Sequence, residues 1–205
     1  MIAGDETVFI VEDDAAVRDS LGLLLGLHGY RTQAFASAED FLRVYQPSWA
    51  GCLLLDIRMS GMSGLELQEK LRRQQFALPV IIMTAHGDVA TVRTALKAGA
   101  VDFLEKPVDP DALLAAVRTA LDADAAGRRS ARDAAAVKRK LSILTARERQ
   151  VMDLVAKGCH NREIATTLGI SPRTVEVHKA RVMEKLQVEN VVELVRIVVS
   201  PQDPA

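Results

Sequence analysis

The chain has 205 residues, 49% of them hydrophobic and 26% charged, with 26 Lys/Arg against 27 Asp/Glu. That balance excludes a disordered chain and a disulfide-rich scaffold. The LGLLLGL stretch at 21–27 falls far short of the roughly 18 apolar residues a membrane span needs, and the opening MIAGDETVFI carries acids where a secretory signal has bases, so a cytoplasmic location is expected. Cys52 and Cys159 lie far apart without a CxxC or Cys/His cluster, which reads as buried apolar side chains rather than zinc ligands.

Charge divides by segment: residues 1–121 carry 11 Lys/Arg against 16 Asp/Glu, 122–140 carry 6 against 3, and 141–205 carry 9 against 8. An acidic front and a basic middle point to two jobs on one chain. In the front segment, β-branched runs alternate with stretches of helical period, the pattern of βα units around a parallel sheet. Strands are predicted at 7–12, 31–35, 51–56, 79–84 and 101–105, and helices at about 15–28, 37–46, 64–75, 88–98 and 110–121. Ser37 with Asp40 marks a helix start, while Gly29 and Gly99 stand where a helix ends in a left-handed residue. The predicted class is α/β, a flavodoxin-like doubly wound five-stranded sheet over 1–121. Residues 122–142, rich in Ala and charge, read as a linker with high helix propensity and a weak point at Gly127.

The last segment, 143–205, is predicted as four helices without strands. Thr145 and Glu148 form a capping box for a helix running to Lys157, and Gly158 ends it. Asn161 caps a short helix holding Ile164, Ala165 and Leu168; after Gly169, Ser171 and Pro172 start a helix to about Leu186, and a final helix covers about 190–199. A short helix, a glycine turn and a sharply started second helix make a helix-turn-helix pattern.

In an open parallel sheet, ligands bind beyond the carboxyl ends of the strands. Those ends carry Glu12, Asp13 and Asp14 after the first strand, Asp56 after the third, Thr84 after the fourth and Lys106 after the fifth. Converging carboxylates repel and raise one another's pKa unless a cation is present, and a hard ion such as Mg²⁺ suits them. Any one strand-end acid is ordinarily a cap or turn former; the conjunction of acids, hydroxyl and lysine at one edge is what marks a site.

The strings IVEDD at 10–14, LLLDIRMSGMSGLEL at 53–67, IIMTAHGD at 81–88 and KAGAVDFLEKP at 97–107 together resemble the receiver domain of bacterial two-component response regulators. The resemblance implies that Asp56 is the phosphoacceptor, that Asp13 binds Mg²⁺ directly and Glu12 through water, and that the Arg58 main-chain carbonyl is a further ligand. It also implies that Thr84 follows the phosphoryl group, that Lys106 pairs with it, and that Lys106–Pro107 is cis. Phe103 is either the aromatic switch of that family or ordinary core. Two positions depart from the family pattern: Ser60 stands where proline is usual, and Glu12 where aspartate is more frequent. A phosphoacceptor must be open to solvent and must face Asp13 and Lys106.

At 100° per residue, Val175, Val182 and Leu186 form the buried stripe of the second helix of the helix-turn-helix, with Arg173, Glu176, Val177, Ala180 and Glu184 opposite and Arg181 at the side. Val177 is then either a contact to a thymine methyl or an incidental surface valine, and Glu176 either accepts from cytosine or is merely solvated. Thr174 joins this DNA-facing set, His178 reads as structural, and Arg173, Lys179, Arg181 and Lys185 reach phosphates. Few net charges limit a monomer's affinity, so a dimer is expected. The run LTARERQVMDLVAKGCHNREIATTLGISPRTVEVHKARVMEKL at 144–186 resembles the LuxR-type helix-turn-helix domain, and the whole chain resembles the FixJ family of response regulators. That implies a DNA-binding transcription factor and not an enzyme, served by a sensor histidine kinase, promoter DNA and RNA polymerase. It implies a homodimer formed on phosphorylation through about 88–106. The last helix either adds a second dimer contact or only closes the core.

Two rivals stand beside this reading. An Mg²⁺-dependent phosphohydrolase would need a water-activating base beside Asp56, which Ile57 and Arg58 do not supply. A small-molecule-sensing LuxR-type regulator would need a ligand cavity in place of the charged strand edge.

Overall fold

The computed structural model describes residues 6–199 other than 75, 77 and 86–88, and side chains for all of these except 89–91, 198 and 199. The chain divides into two compact units, 1–128 and 129–205. The first runs β1 (Thr7–Val11), α1 (Ala15–Leu27), β2 (Arg31–Phe35), α2 (Ala38–Val44), β3 (Gly51–Asp56), α3 (Gly64–Arg73), β4 (Val80–Thr84), α4 (Val89–Lys97), β5 (Ala100–Glu105) and the start of α5 (Pro110–Ser142). The five strands pair in parallel in the order β2-β1-β3-β4-β5, the doubly wound arrangement expected.

Alternation along each strand assigns the core. Val8 and Ile10, Cys52 and Leu54, and Ile81 and Met83 cluster with Leu21 and Leu25 of α1 and with Leu113, Val117 and Leu121 of α5. The intervening Phe9, Val11, Leu53, Leu55, Val80 and Ile82 cluster with Phe41 of α2, Leu67 and Leu71 of α3, and Ala95 of α4. Period-two side chains thus bury both faces of the sheet under helices, which is why the strands read as continuous apolar runs.

Local chemistry sets the ends. Ser37 caps α2 by accepting from the Asp40 N–H, and Gly29 and Gly99 take positive φ of 83° and 92°. α2 stops at Val44, earlier than expected, because Pro47 disfavours helical backbone just before it. β4 begins at Val80 because Pro79 has no N–H to donate to a ladder. α5 runs through 122–142 to Ser142, extending the preceding helix as the Ala-rich, charged composition favours and further than a partial extension, with Gly127 inside it and no break there.

The second unit holds α6 (Ala146–Ala156), α7 (Asn161–Leu168), α8 (Pro172–Leu186) and α9 (Val191–Val199). Thr145 and Glu148 form the expected capping box, and Ser171 caps α8 with Pro172 in its first turn. α7 starts one residue earlier than read: His160 is its N-cap, its N–H donating to Glu163, and Asn161 is already helical. Val151, Met152, Val155, Ile164, Val175, Val182, Leu186 and Leu194 form one core, to which α9 contributes Leu194 while Val192 stays exposed.

Candidate phosphoryl-accepting site and nucleic-acid interface

The strand order sets β3 between β1 and β4, so the strand-end acids meet. Glu12, Asp13 and Asp56 offer carboxylate oxygens that all lie within 4.8 Å of one another. Lys106 sits among them: its Nζ donates to Glu12 Oε2 at 2.6 Å and lies 2.9 Å from Asp56 Oδ2. The lysine is brought there by its own N–H, which donates to the Thr84 carbonyl at 2.8 Å, and it precedes a cis bond to Pro107. Asp14 turns away to cap α1, accepting from Ala16 and Val17, while Arg18 donates to the Glu12 and Asp13 carbonyls.

Glu12 and Asp13 differ electrically. Burial raises the Glu12 carboxyl above the usual range, opposed by the Lys106 hydrogen bond and reinforced by Asp56. Asp13 is held below the usual range, chiefly by the Ser60 N–H, which donates to Oδ2 at 2.7 Å. Burial alone would lower the Lys106 ammonium, but its bonds to Glu12 and Asp56 outweigh that and leave it raised. The site therefore combines an ionised carboxylate at its rim with a retained positive charge at its floor.

Asp56 faces both Asp13 and Lys106, as a phosphoacceptor must, but it is only 4% exposed, and its Oδ1 is buried without a hydrogen-bond partner among the described residues. The expectation of an open carboxylate is corrected to one with a narrow opening: β3 is the central strand and every one of its residues is buried, the last included. The Asp56 side chain keeps 6% exposure beside the half-buried Asp13, and among the described residues that rim is the only approach a phosphoryl group has. Thr84 is buried at the end of β4, one register step beyond the pairing of Asp56 with Met83. Phe103 lies half-buried against the cluster of Ile82 and Ala95. Arg58 is exposed on the loop after Asp56. Gly64 returns that loop to the strand, its N–H donating to the Ile57 carbonyl at 2.9 Å, and a Cβ there would stand 2.1 Å from the Asp56 carbonyl oxygen.

In the second unit, Val175, Val182 and Leu186 are buried, while Arg173, Glu176, Val177, Ala180 and Arg181 are exposed, Val177 by 44%. Thr174, His178 and Lys179 are half-buried. Lys185 donates to Glu148 Oε2 at 2.7 Å, which with the Thr145 N–H holds the Glu148 carboxyl down to about 2.

Residues 8–118 match the family described as response regulator receiver domain, and 142–198 match the family described as bacterial regulatory proteins, luxR family. The transcriptional regulatory protein FixJ of Azorhizobium caulinodans is 44% identical over 202 residues, covering 97% of this chain and 96% of that one. The chain belongs to the FixJ family of response regulators. FixJ of Rhizobium meliloti is 42% identical, covering 94% of this chain and 95% of its own. Among solved structures, the response regulator StyR matches with a TM-score of 0.85 and 41% identity, covering 97% of this chain and all of that one. Full-length FixJ of B. japonicum matches at 0.60 and 40%, covering 96% and 97%. This FixJ-family chain is a two-component response regulator, a receiver joined to a LuxR-type DNA-binding domain, and acts in transcription rather than as an enzyme. No helix among its described residues is long and apolar enough to cross a membrane.

Several residues that build this FixJ-family site escaped the sequence reading. Arg18 ties down the backbone of the acid pair; Glu39 Oε1 accepts from the Met62 N–H at 3.0 Å and steadies the loop after Asp56; Ser63 and Glu66 make a capping box for α3. The last has a visible Ser-x-x-Glu signal in the string SGLE; the other two have none, since one donates to carbonyls and the other accepts from an amide.

Proposed function

We propose that Asp56 accepts a phosphoryl group from a sensor histidine kinase with Mg²⁺ present. The modified receiver, residues 1–121, then dimerises, and residues 143–205, joined through 122–142, bind a promoter. The observation that carries this reading is Lys106 Nζ beside Asp56 Oδ2, with Asp56 Oδ1 buried, unpartnered among the described residues, and close to two further carboxylates. Such oxygens are the donors a hard divalent ion takes. Asp13, Asp56 and the Arg58 carbonyl would hold it, with Glu12 acting through water. When bound, Mg²⁺ neutralises phosphoryl oxygens that would otherwise repel an attacking carboxylate.

In the transfer, an Asp56 oxygen bonds to phosphorus as the P–N bond to the donor histidine breaks, and the electron pair stays on the imidazole. Lys106 pairs with the transferred group, for which it must loosen its hold on Glu12. Thr84 then turns its hydroxyl to the acyl phosphate, and Phe103 moves into the space released. The state so favoured exposes a dimer face on α4 and β5, where Leu96 is 49% and Val101 38% exposed beside charged Arg93, Lys97 and Glu105; the part of this face at 88 lies outside the described residues. Phosphorylation acts by population shift, and the active form must gain a few kcal/mol over the inactive one.

On DNA, α8 enters the major groove. Glu176, Val177 and Ala180 face base edges, while Thr174, Arg173, Lys179 and Arg181 reach the backbone; Lys185 contributes least because Glu148 already holds its charge. RNA polymerase is the partner at the promoter, and the cytoplasm, where kinase output and promoter meet, is the compartment.

The test is incubation with acetyl phosphate and Mg²⁺, comparing the native protein with Asp56→Asn by intact mass, sedimentation and DNA binding. One phosphoryl addition is expected in the native protein only, with more dimer and tighter promoter binding. Labelling that survives in Asp56→Asn moves the acceptor elsewhere.

A further inference from the structure

The loop between β3 and α3 is held at three points: the Gly64 N–H on the Ile57 carbonyl, the Met62 N–H on Glu39 Oε1, and the Ser60 N–H on Asp13 Oδ2 at 2.7 Å. The third bond differs from the others because its acceptor is a member of the carboxylate cluster. Asp13 is the least buried of the three acids, so nothing in the core fixes its side chain.

We infer that Ser60 is a positioning residue for the divalent cation: it clamps Asp13 through its main-chain N–H and so sets how tightly the acidic edge binds Mg²⁺. The inference rests on the reading of Glu12, Asp13 and Asp56 as a Mg²⁺ site.

The chemistry is that of an outer-shell hydrogen bond. A carboxylate has two oxygens and about four lone pairs, so a bond at Oδ2 leaves Oδ1 for a metal. With one oxygen fixed, the rotation an unrestrained carboxylate loses on coordination is already lost, and the group stays charged and oriented. The bond also spans from β1 to the loop, so it fixes the stretch carrying the Arg58 carbonyl two residues earlier. One hydrogen bond therefore orders two prospective ligands. Proline at this position would have no N–H to give, whereas alanine would keep the donor.

The test measures Mg²⁺ affinity by calorimetry on the full chain, without phosphoryl donor, for native protein, Ser60→Ala, Ser60→Pro and Asp13→Ala. Removing an outer-shell partner of a metal ligand costs about 10–100-fold in affinity. Ser60→Pro should weaken Mg²⁺ binding by about tenfold, the low end of that range, while Ser60→Ala, which keeps the main-chain donor, should bind as native protein does. Equal or tighter binding by Ser60→Pro overturns the inference. Native protein that binds no Mg²⁺, or Asp13→Ala that binds as well as native, overturns the metal site itself. Melting in EDTA shows whether Ser60→Pro still folds. If it does not, hydrogen exchange at the Ser60 amide decides: protection in native protein that is lost in Asp13→Ala supports the clamp, and equal exchange in both removes it.

Discussion

Asp124, near the start of the segment 122–142, accepts the main-chain N–H of Gly51 through Oδ2 at 2.9 Å, joining α5 to the first residue of β3. Arg128 completes the contact, with Nε 2.9 Å from Asp124 and an Nη 2.7 Å from Glu6 just ahead of β1. This cluster lies at the amino ends of the strands, opposite the acidic edge. Burial raises the Asp124 carboxyl above its usual range, opposed by the Gly51 N–H and by Arg128. Asp124→Ala should destabilise the first unit by about 1–3 kcal/mol, because it leaves the buried Gly51 N–H unsatisfied. Arg128→Ala should cost less, since its guanidinium is partly exposed. Denaturant melts of both variants check this; an Asp124→Ala chain as stable as native would show that the bond contributes nothing.

Lys106 is the counter-ion of two buried carboxylates, so its removal should be felt most when no metal is present. Lys106→Met should lose about 3–5 kcal/mol in EDTA, as expected when one partner of a buried ion pair is removed. Mg²⁺ should then raise the melting temperature of the variant more than that of native protein, because an added cation replaces the missing charge. Equal Mg²⁺-induced shifts would mean that the ion does not enter this cluster. Phosphoryl labelling with acetyl phosphate should be weaker in Lys106→Met than in native protein at the same Mg²⁺.

Sequence legibility followed side-chain type. Asp13, Asp56, Thr84 and Lys106 could be read at one edge because short apolar runs mark their strands and each of these runs leads into a functional group. The buried stripe of α8 was equally legible, as Val175, Val182 and Leu186 repeat at helical spacing. Three features were not. Ser60 acts on Asp13 through a main-chain N–H, which every non-proline residue owns. Asp124 needs a fold in which α5 passes the start of β3, and its local composition, Ala and charge, describes an exposed helix. The burial of Asp56 depends on both neighbouring strands and the Gly64 turn, whereas its own position says only that a strand ends there.

Glu148 lends itself to a pH test. Its carboxyl is pulled from 4.5 to about 2 by the Lys185 ammonium first and by the Thr145 N–H and hydroxyl with it. A carboxyl depressed on folding contributes stability above its unfolded pKa and loses it as pH falls through the folded value. Glu148→Gln should therefore be less stable than native at neutral pH by about 0.5–1 kcal/mol, the scale of an ion pair to a partly exposed lysine, because Gln still accepts the Thr145 N–H. The gap should stay constant down to about pH 5 and close between there and about pH 2. A gap independent of pH would assign the loss to packing instead of charge.

The helix-turn-helix reading separates two kinds of residue on one face of α8. Val177 is an exposed apolar side chain that takes no part in the core, so Val177→Ala should leave stability within about 0.5 kcal/mol of native. If it touches a thymine methyl, the same change should flatten the base preference at one position in a selection from random duplexes while affinity for unrelated DNA stays the same. Arg173 should behave in the opposite way: Arg173→Ala weakens binding to all duplexes alike and lowers the slope of log K against log salt by about one. The two variants differ in which quantity moves, so a general loss of folding cannot imitate both results. Val177→Ala with an unaltered base profile would make that valine incidental. Arg173→Ala with an unaltered salt slope would remove its phosphate contact.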